Sequence, residues 1–183
     1  SLLDALRQAN VVAGEAGDSY PHLNRWARRI LFFKPDIVVI HDMLEAPEPS
    51  TYQWLLHAQH RFDLGDNRAE LTTDTGKVHI DFLSPDGLTL FQKNEFDTPP
   101  HEWANFTLDE WHLTAATQAP ERELAFITLL RIDNAEVTPT LSRADDHIAL
   151  TLAFQDSEAE IELRKDAFQV RYHDIDRQWD DKD

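Results

Sequence analysis

The chain of 183 residues has no cysteine, one methionine and five glycines. Without cysteine there is no disulfide framework, no thiolate-ligated zinc and no thiol nucleophile. No apolar run approaches the roughly 20 residues of a membrane-spanning helix. Basic residues are scarce, with 17 Lys and Arg against 34 Asp and Glu, for a net charge of −17. A surface of that sign repels polyanions, which argues against nucleic acid as a partner. Neither a secretory leader nor an initiating methionine is present: the first residue is Ser1 and the single methionine is Met43. The chain therefore reads as a piece of a larger protein.

What is present is a normal globular mixture, 42% hydrophobic and 28% charged. The charge is uneven. Residues 1–34 carry five basic and three acidic side chains, so the remainder holds −19. The final residues, with Asp174, Asp176, Asp180, Asp181 and Asp183, read as a solvated acidic tail over 174–183.

The prevailing period is two. Arg25 to Phe33 alternates and then turns apolar, Lys34-Pro35-Asp36 makes a corner, and Ile37-Val38-Val39-Ile40 is β-branched throughout, as expected of a strand covered on both faces. Glu45 to Ser50 holds two prolines and reads as a loop. Strand patterns resume at Thr51–Ala58, Asn67–Thr73, Lys77–Leu83 and Leu88–Gln92. They continue around Phe106–Ala115, then at Leu124–Ile132, His147–Phe154, Ala159–Arg164 and Phe168–Tyr172. About a dozen short strands separated by turn signals predict an all-β antiparallel β-sandwich of two stacked sheets, one domain over 1–173. Only Leu2, Leu3 and Leu6 fit a helical turn equally well.

Nine histidines raise the question of a metal site. His57 and His60 have the spacing of a helical zinc pair, but on a strand they point to opposite faces. His79 and Asp81 share a face, yet one histidine and one carboxylate make a poor site without a third ligand. His41 and Asp42 are strand neighbours and diverge. No metal or cofactor is assigned. No Gly-x-Ser-x-Gly, phosphate loop or zincin helix occurs. Trp26 and Trp54 lie in apolar strands and read as core, whereas Trp103, with Trp111, is the better platform for a sugar ring. Asn105-Phe106-Thr107 has the form of a glycosylation sequon. Arg25, Arg28 and Arg29 form the one basic cluster. Their guanidinium forks suit carboxylates or sulfates, and equally suit the chain's own surplus acids.

Gly17-Asp18-Ser19-Tyr20 is followed by Arg25-Trp26-x-Arg28-x-Ile30-Leu31-Phe32-x-Lys34-Pro35-Asp36. Then come Val38-Val39-Ile40-His41-Asp42, Glu45-Ala46-Pro47-Glu48-Pro49 and Trp54-Leu55-Leu56-His57. Over residues 14–60 this order resembles the C-terminal β-sheet region of heparinase II/III-like polysaccharide lyases, a group that includes alginate lyases. The resemblance implies a parent enzyme with a helical toroid followed by stacked antiparallel sheets. It would cleave acidic polysaccharide by β-elimination in the periplasm or outside the cell. It also implies that the catalytic residues and histidine-rich metal motifs lie upstream, so this piece alone carries none of them. Its partners would be the N-terminal catalytic domains of the same polypeptide and, through them, an acidic polysaccharide. The family pattern further favours an extended start from about Gln8. On this reading any sugar contact is local, near Tyr20, His22, Arg25 and His57. Two alternatives are a non-catalytic carbohydrate-binding module and a structural or oligomerisation module.

Overall fold

In the computed structural model, which describes residues 9–96 and 110–180, the chain is built from fifteen strands and one short 3-10 turn at Gly17–Ser19. The strands are β1 (Ala9–Glu15), β2 (Arg25–Phe33), β3 (Ile37–Ser50), β4 (Gln53–Ala58), β5 (Phe62–Gly65), β6 (Arg68–Thr72), β7 (Lys77–Ser84) and β8 (Thr89–Lys93). They continue with β9 (Trp111–Ala116), β10 (Glu121–Ile132), β11 (Thr138–Arg143), β12 (Ile148–Ala153), β13 (Glu158–Leu163), β14 (Ala167–Tyr172) and β15 (Ile175–Asp180). The all-β antiparallel fold expected from the alternation is the one found, in three sheets rather than two. A seven-stranded sheet runs β1-β2-β3-β10-β7-β6-β5, a five-stranded sheet β11-β12-β13-β14-β15, and a three-stranded sheet β4-β9-β8.

The seven-stranded sheet is the middle layer. One face sends Leu31, Phe33, Ile37, Val39, Ile127 and Leu129 against Leu150, Leu152, Ile161, Leu163, Phe168 and Val170 of the five-stranded sheet. The other sends Phe62, Ala69, Ile80, Phe82 and Phe126 against Trp54, Leu113 and Ala115 of the three-stranded sheet. Adjacent residues on β10 thus serve different cores: Phe126 belongs to one and Ile127 to the other. This is why β3 and β10, at the centre, read as near-continuous apolar runs, while the outer strands alternate. Removing so much aliphatic and aromatic surface from water stabilises both layers, at about 25 cal/mol per Å² of apolar area.

Two sequence expectations are corrected. Residues 45–50 are not a loop. They continue β3, whose pairing with β10 slips by a bulge between Glu121 and Glu123. Pro47 and Pro49 sit where β3 has run past the end of its pairing with β2 at Arg25–Glu45, so their missing N–H groups break no ladder there. Residues 175–180 are not a frayed tail but β15, registered on β14 from Ala167–Asp180 to Tyr172–Ile175. Apolar contact outweighs the acidity of that segment, because Trp179 stacks flat on the buried Phe168, centroids 5.1 Å apart. Asp176 is also drawn in, accepting a hydrogen bond from Gln169 and lying 3.6 Å from Arg171. Strand β1 is extended from Ala9, the first described residue, and the expected start at Gln8 lies outside the described residues. The leucines near the N-terminus, Trp103, the sequon at 105–107 and residues 181–183 lie outside the described residues.

Candidate functional site

Tyr20 is placed by a tight turn. The Glu15 carboxylate accepts from the Gly17 N–H at 2.7 Å, and the Tyr20 N–H donates to the Gly17 carbonyl at 2.9 Å. A Cβ on Gly17 would come within 2.6 Å of Glu15 Oε1 and 3.1 Å of the Arg25 Cα, so a side chain there would displace the Glu15 carboxylate and crowd β2. The Tyr20 ring meets Trp26 edge-on with centroids 4.8 Å apart, and remains exposed. His22 lies two residues on and is exposed.

Tyr20, Trp26, Arg28, Asp42 and Trp54 line one groove of about 450 Å³. Its floor is polar and fixed. Arg28 faces Asp42 as its registered partner on β3, donating from Nε and, at 2.9 Å, from Nη2. The Trp26 indole N–H points to the same carboxylate at 3.5 Å. Asp42 is buried, whereas the Arg28 side chain keeps 40% exposure. Trp54 Nε1 is buried without a hydrogen-bond partner among the described residues. The groove therefore offers aromatic edges, one partly exposed guanidinium and one tyrosine hydroxyl, a suitable lining for a sugar with an acidic substituent. Trp54 is core, as expected, while the half-buried Trp26 reaches the groove wall.

Arg25 and Arg29 share the opposite face of β2, as alternation predicts, and turn toward the five-stranded sheet. Arg25 donates to Asp166 Oδ1 at 2.8 Å and to the Lys165 carbonyl at 2.7 Å. Arg29, fully buried, donates to the carbonyls of Arg164 and Lys165 and lies 5.0 Å over the Phe168 ring. The basic cluster is thus split. Arg28 serves the groove, and the other two clasp the β13–β14 turn. His41, the registered partner of Arg29, is buried with no partner for Nδ1 among the described residues. Burial first, then the positive charges of Arg29 and Arg25, push its pKa down to about 3. No hydrogen bond joins His41 to Asp42, in keeping with their divergence on the strand.

His57 is separate from that groove. It lies on the outer face of the three-stranded sheet, registered with His112 of β9. Their rings stack at 4.2 Å, and Glu110 stands beside both. The sequence spacing of His57 and His60 suits a helix, and on a strand those two point to opposite faces. The partner is instead a residue on another strand, and only the β4–β9 register reveals it. His79 and Asp81 each have an ordinary partner, in Glu70 at 3.0 Å and Arg131 at 2.8 Å.

No family model and no curated protein matches this sequence. Solved structures do. The heparan sulfate lyase HepC from Pedobacter heparinus superposes with a TM-score of 0.58 at 18% identity, covering 86% of this chain and 26% of that chain. A heparinase III gene product gives a TM-score of 0.64 at 9% identity, covering 85% and 26%. A further heparinase III structure gives 0.62 at 8%, with the same coverage. The chain thus has a layered antiparallel β fold. That fold is the one of the C-terminal domain of heparinase III structures, of which this chain spans about a quarter of the length.

Proposed function

We propose that this chain is the C-terminal β-sheet domain of a heparinase II/III-like polysaccharide lyase, exported to the periplasm or beyond. The observation that carries the reading is the fold match over 86% of the chain to one quarter of a heparan sulfate lyase. The motif order over residues 14–60 supports it independently. In β-elimination a base removes the C5 proton of a uronic acid, and an acid protonates the departing glycosidic oxygen. On this reading both groups belong to the rest of the polypeptide. The present domain supports the catalytic domains and walls one side of their cleft.

The supporting role draws on the outer face of the three-stranded sheet. Leu55 and Phe91, each registered with Thr114 of β9, are about half exposed there, so the catalytic domains have an apolar row to rest on. The cleft wall is the groove of Tyr20 and Trp26, with Arg28 supplying positive charge and the exposed His22 two residues beyond Tyr20 in the chain. Arg25 contributes by clasping the 165–166 turn behind β2. A domain of net charge −17 should meet an acidic polymer only at such a local spot.

The test is kinetic, in the full-length enzyme. Y20A and H22A should raise KM for an acidic polysaccharide with little change in kcat, because a wall contact contributes binding rather than proton transfer. Unchanged KM in both variants would remove the cleft-wall assignment. A second reading, a self-sufficient carbohydrate-binding module, is favoured by the Tyr20–Trp26 pair. Quenching of tryptophan fluorescence by oligosaccharides in the isolated 183-residue chain would select it.

A further inference from the structure

A second constellation lies apart from the groove, beside Leu55 on the outer face of the three-stranded sheet. His57 and His112 are opposite each other on β4 and β9, rings stacked at 4.2 Å with planes 12° apart. Glu110 stands immediately before β9 and reaches toward both. Its Oε1 is 3.9 Å from His57 Nδ1, and its Oε2 is 3.9 Å from His112 Nε2. Donor atoms of all three side chains lie within 4.8 Å of one another.

The contacts are too long for hydrogen bonds. His112 Nε2 is buried and has no hydrogen-bond partner among the described residues, on a side chain only 12% exposed. The ring is fixed from another side by Phe96, edge-on with centroids 4.8 Å apart. A buried imidazole nitrogen left unpaired costs about 1–3 kcal/mol unless something meets it. At 3.9 Å from each ring nitrogen, the Glu110 carboxylate is too far to satisfy either by hydrogen bonding. A cation between the three side chains satisfies all of them together.

We propose that His57, Glu110 and His112 form a zinc-class divalent cation site that ties β4 to β9 and leaves one coordination position open. Two imidazoles and one carboxylate are a donor set for zinc, whereas calcium and magnesium take oxygen ligands. A tetrahedral ion with bonds of about 2.0–2.2 Å holds its donors roughly 3.4 Å apart. The two histidine–carboxylate separations are 3.9 Å and no donor pair exceeds 4.8 Å, so binding requires the exposed His57 ring to turn out of the stack until both imidazole lone pairs meet one ion. His57 is 47% exposed, so the ion enters from solvent and its fourth position faces solvent. Lys93 of β8 is registered with His112 on the other side from His57.

The test is titration of the 183-residue chain with zinc against a chromophoric chelator near neutral pH, with the thermal midpoint read in parallel. One ion per chain and a raised midpoint are expected. H57A and E110Q should each weaken zinc binding about 10-fold or more. Both residues are partly exposed, so these variants keep the fold where H112A could lose it. Cobalt in place of zinc should give the intense visible bands of four-coordinate geometry. No zinc binding, or zinc affinity unchanged in H57A and E110Q, would overturn the assignment. The second result would mean that other histidines hold the ion.

Discussion

Arg28 and Asp42 meet as a two-pronged ion pair across β2 and β3, with the carboxylate buried and the guanidinium partly in water. The burial is lopsided, and so is the expected cost of breaking the pair. R28A leaves a buried carboxylate with only the distant Trp26 N–H, and should destabilise the chain by about 3 kcal/mol. D42N leaves an arginine that can turn to solvent, and should cost about 1 kcal/mol. Urea denaturation of the two variants checks the order. Equal losses would mean that water reaches Asp42.

His41 predicts an acid-sensitive fold. Its folded pKa is depressed to about 3, whereas the unfolded chain binds a proton near pH 6.5. As pH falls below 6.5 the unfolded state takes up a proton that the folded state refuses, so stability falls. Between pH 6.5 and 5 the loss should be on the order of 2 kcal/mol. H41L should abolish that part of the slope. Glu45, Glu70 and Asp146, whose carboxyls are held below their usual range by Lys165, Lys77 and His147, add acid sensitivity at lower pH. An unchanged slope in H41L over pH 5–6.5 would contradict the burial of a neutral imidazole.

Strand β15 makes the acidic C-terminal segment part of the structure. W179A removes the indole stacked on Phe168 and should cost about 2 kcal/mol, less than a fully buried tryptophan because Trp179 is half-buried. Amide exchange of residues 175–180 should be slowed in the wild-type chain and fast in W179A. Fast exchange in the wild type would restore the frayed tail.

Arg29 fastens one layer to another. Its guanidinium donates to two carbonyls of the β13–β14 turn and covers Phe168. R29K should cost about 2 kcal/mol or more, because an ammonium cannot supply the same planar fork. Thermal unfolding of R29K measures it, and a wild-type midpoint would show that charge alone suffices.

The fold was largely legible where one face of a strand is polar. Ile148-Ala149-Leu150-Thr151-Leu152 and the alternation of Ile161 and Leu163 with Glu160 and Glu162 mark β12 and β13 directly. The third sheet was less legible. Trp54 and Leu56 of β4 alternate in the same way whichever layer they cover. β3 ran past its prolines because the ladder had already slipped, and β15 formed because one tryptophan outweighs a run of aspartates. The arginine cluster was visible as composition, but its division between groove and inter-sheet clasp depends on which face each residue takes. The His57–His112 pair was hidden for a different reason: cross-strand register between distant segments leaves no spacing signal.

The most direct measurement is ultraviolet absorbance from unsaturated uronate, with heparan sulfate or alginate supplied to the 183-residue chain and to the longer polypeptide proposed to contain it. The account predicts product from the longer polypeptide and none from the chain alone. Product released by the isolated chain, or none from the longer polypeptide with any acidic polysaccharide, would contradict it.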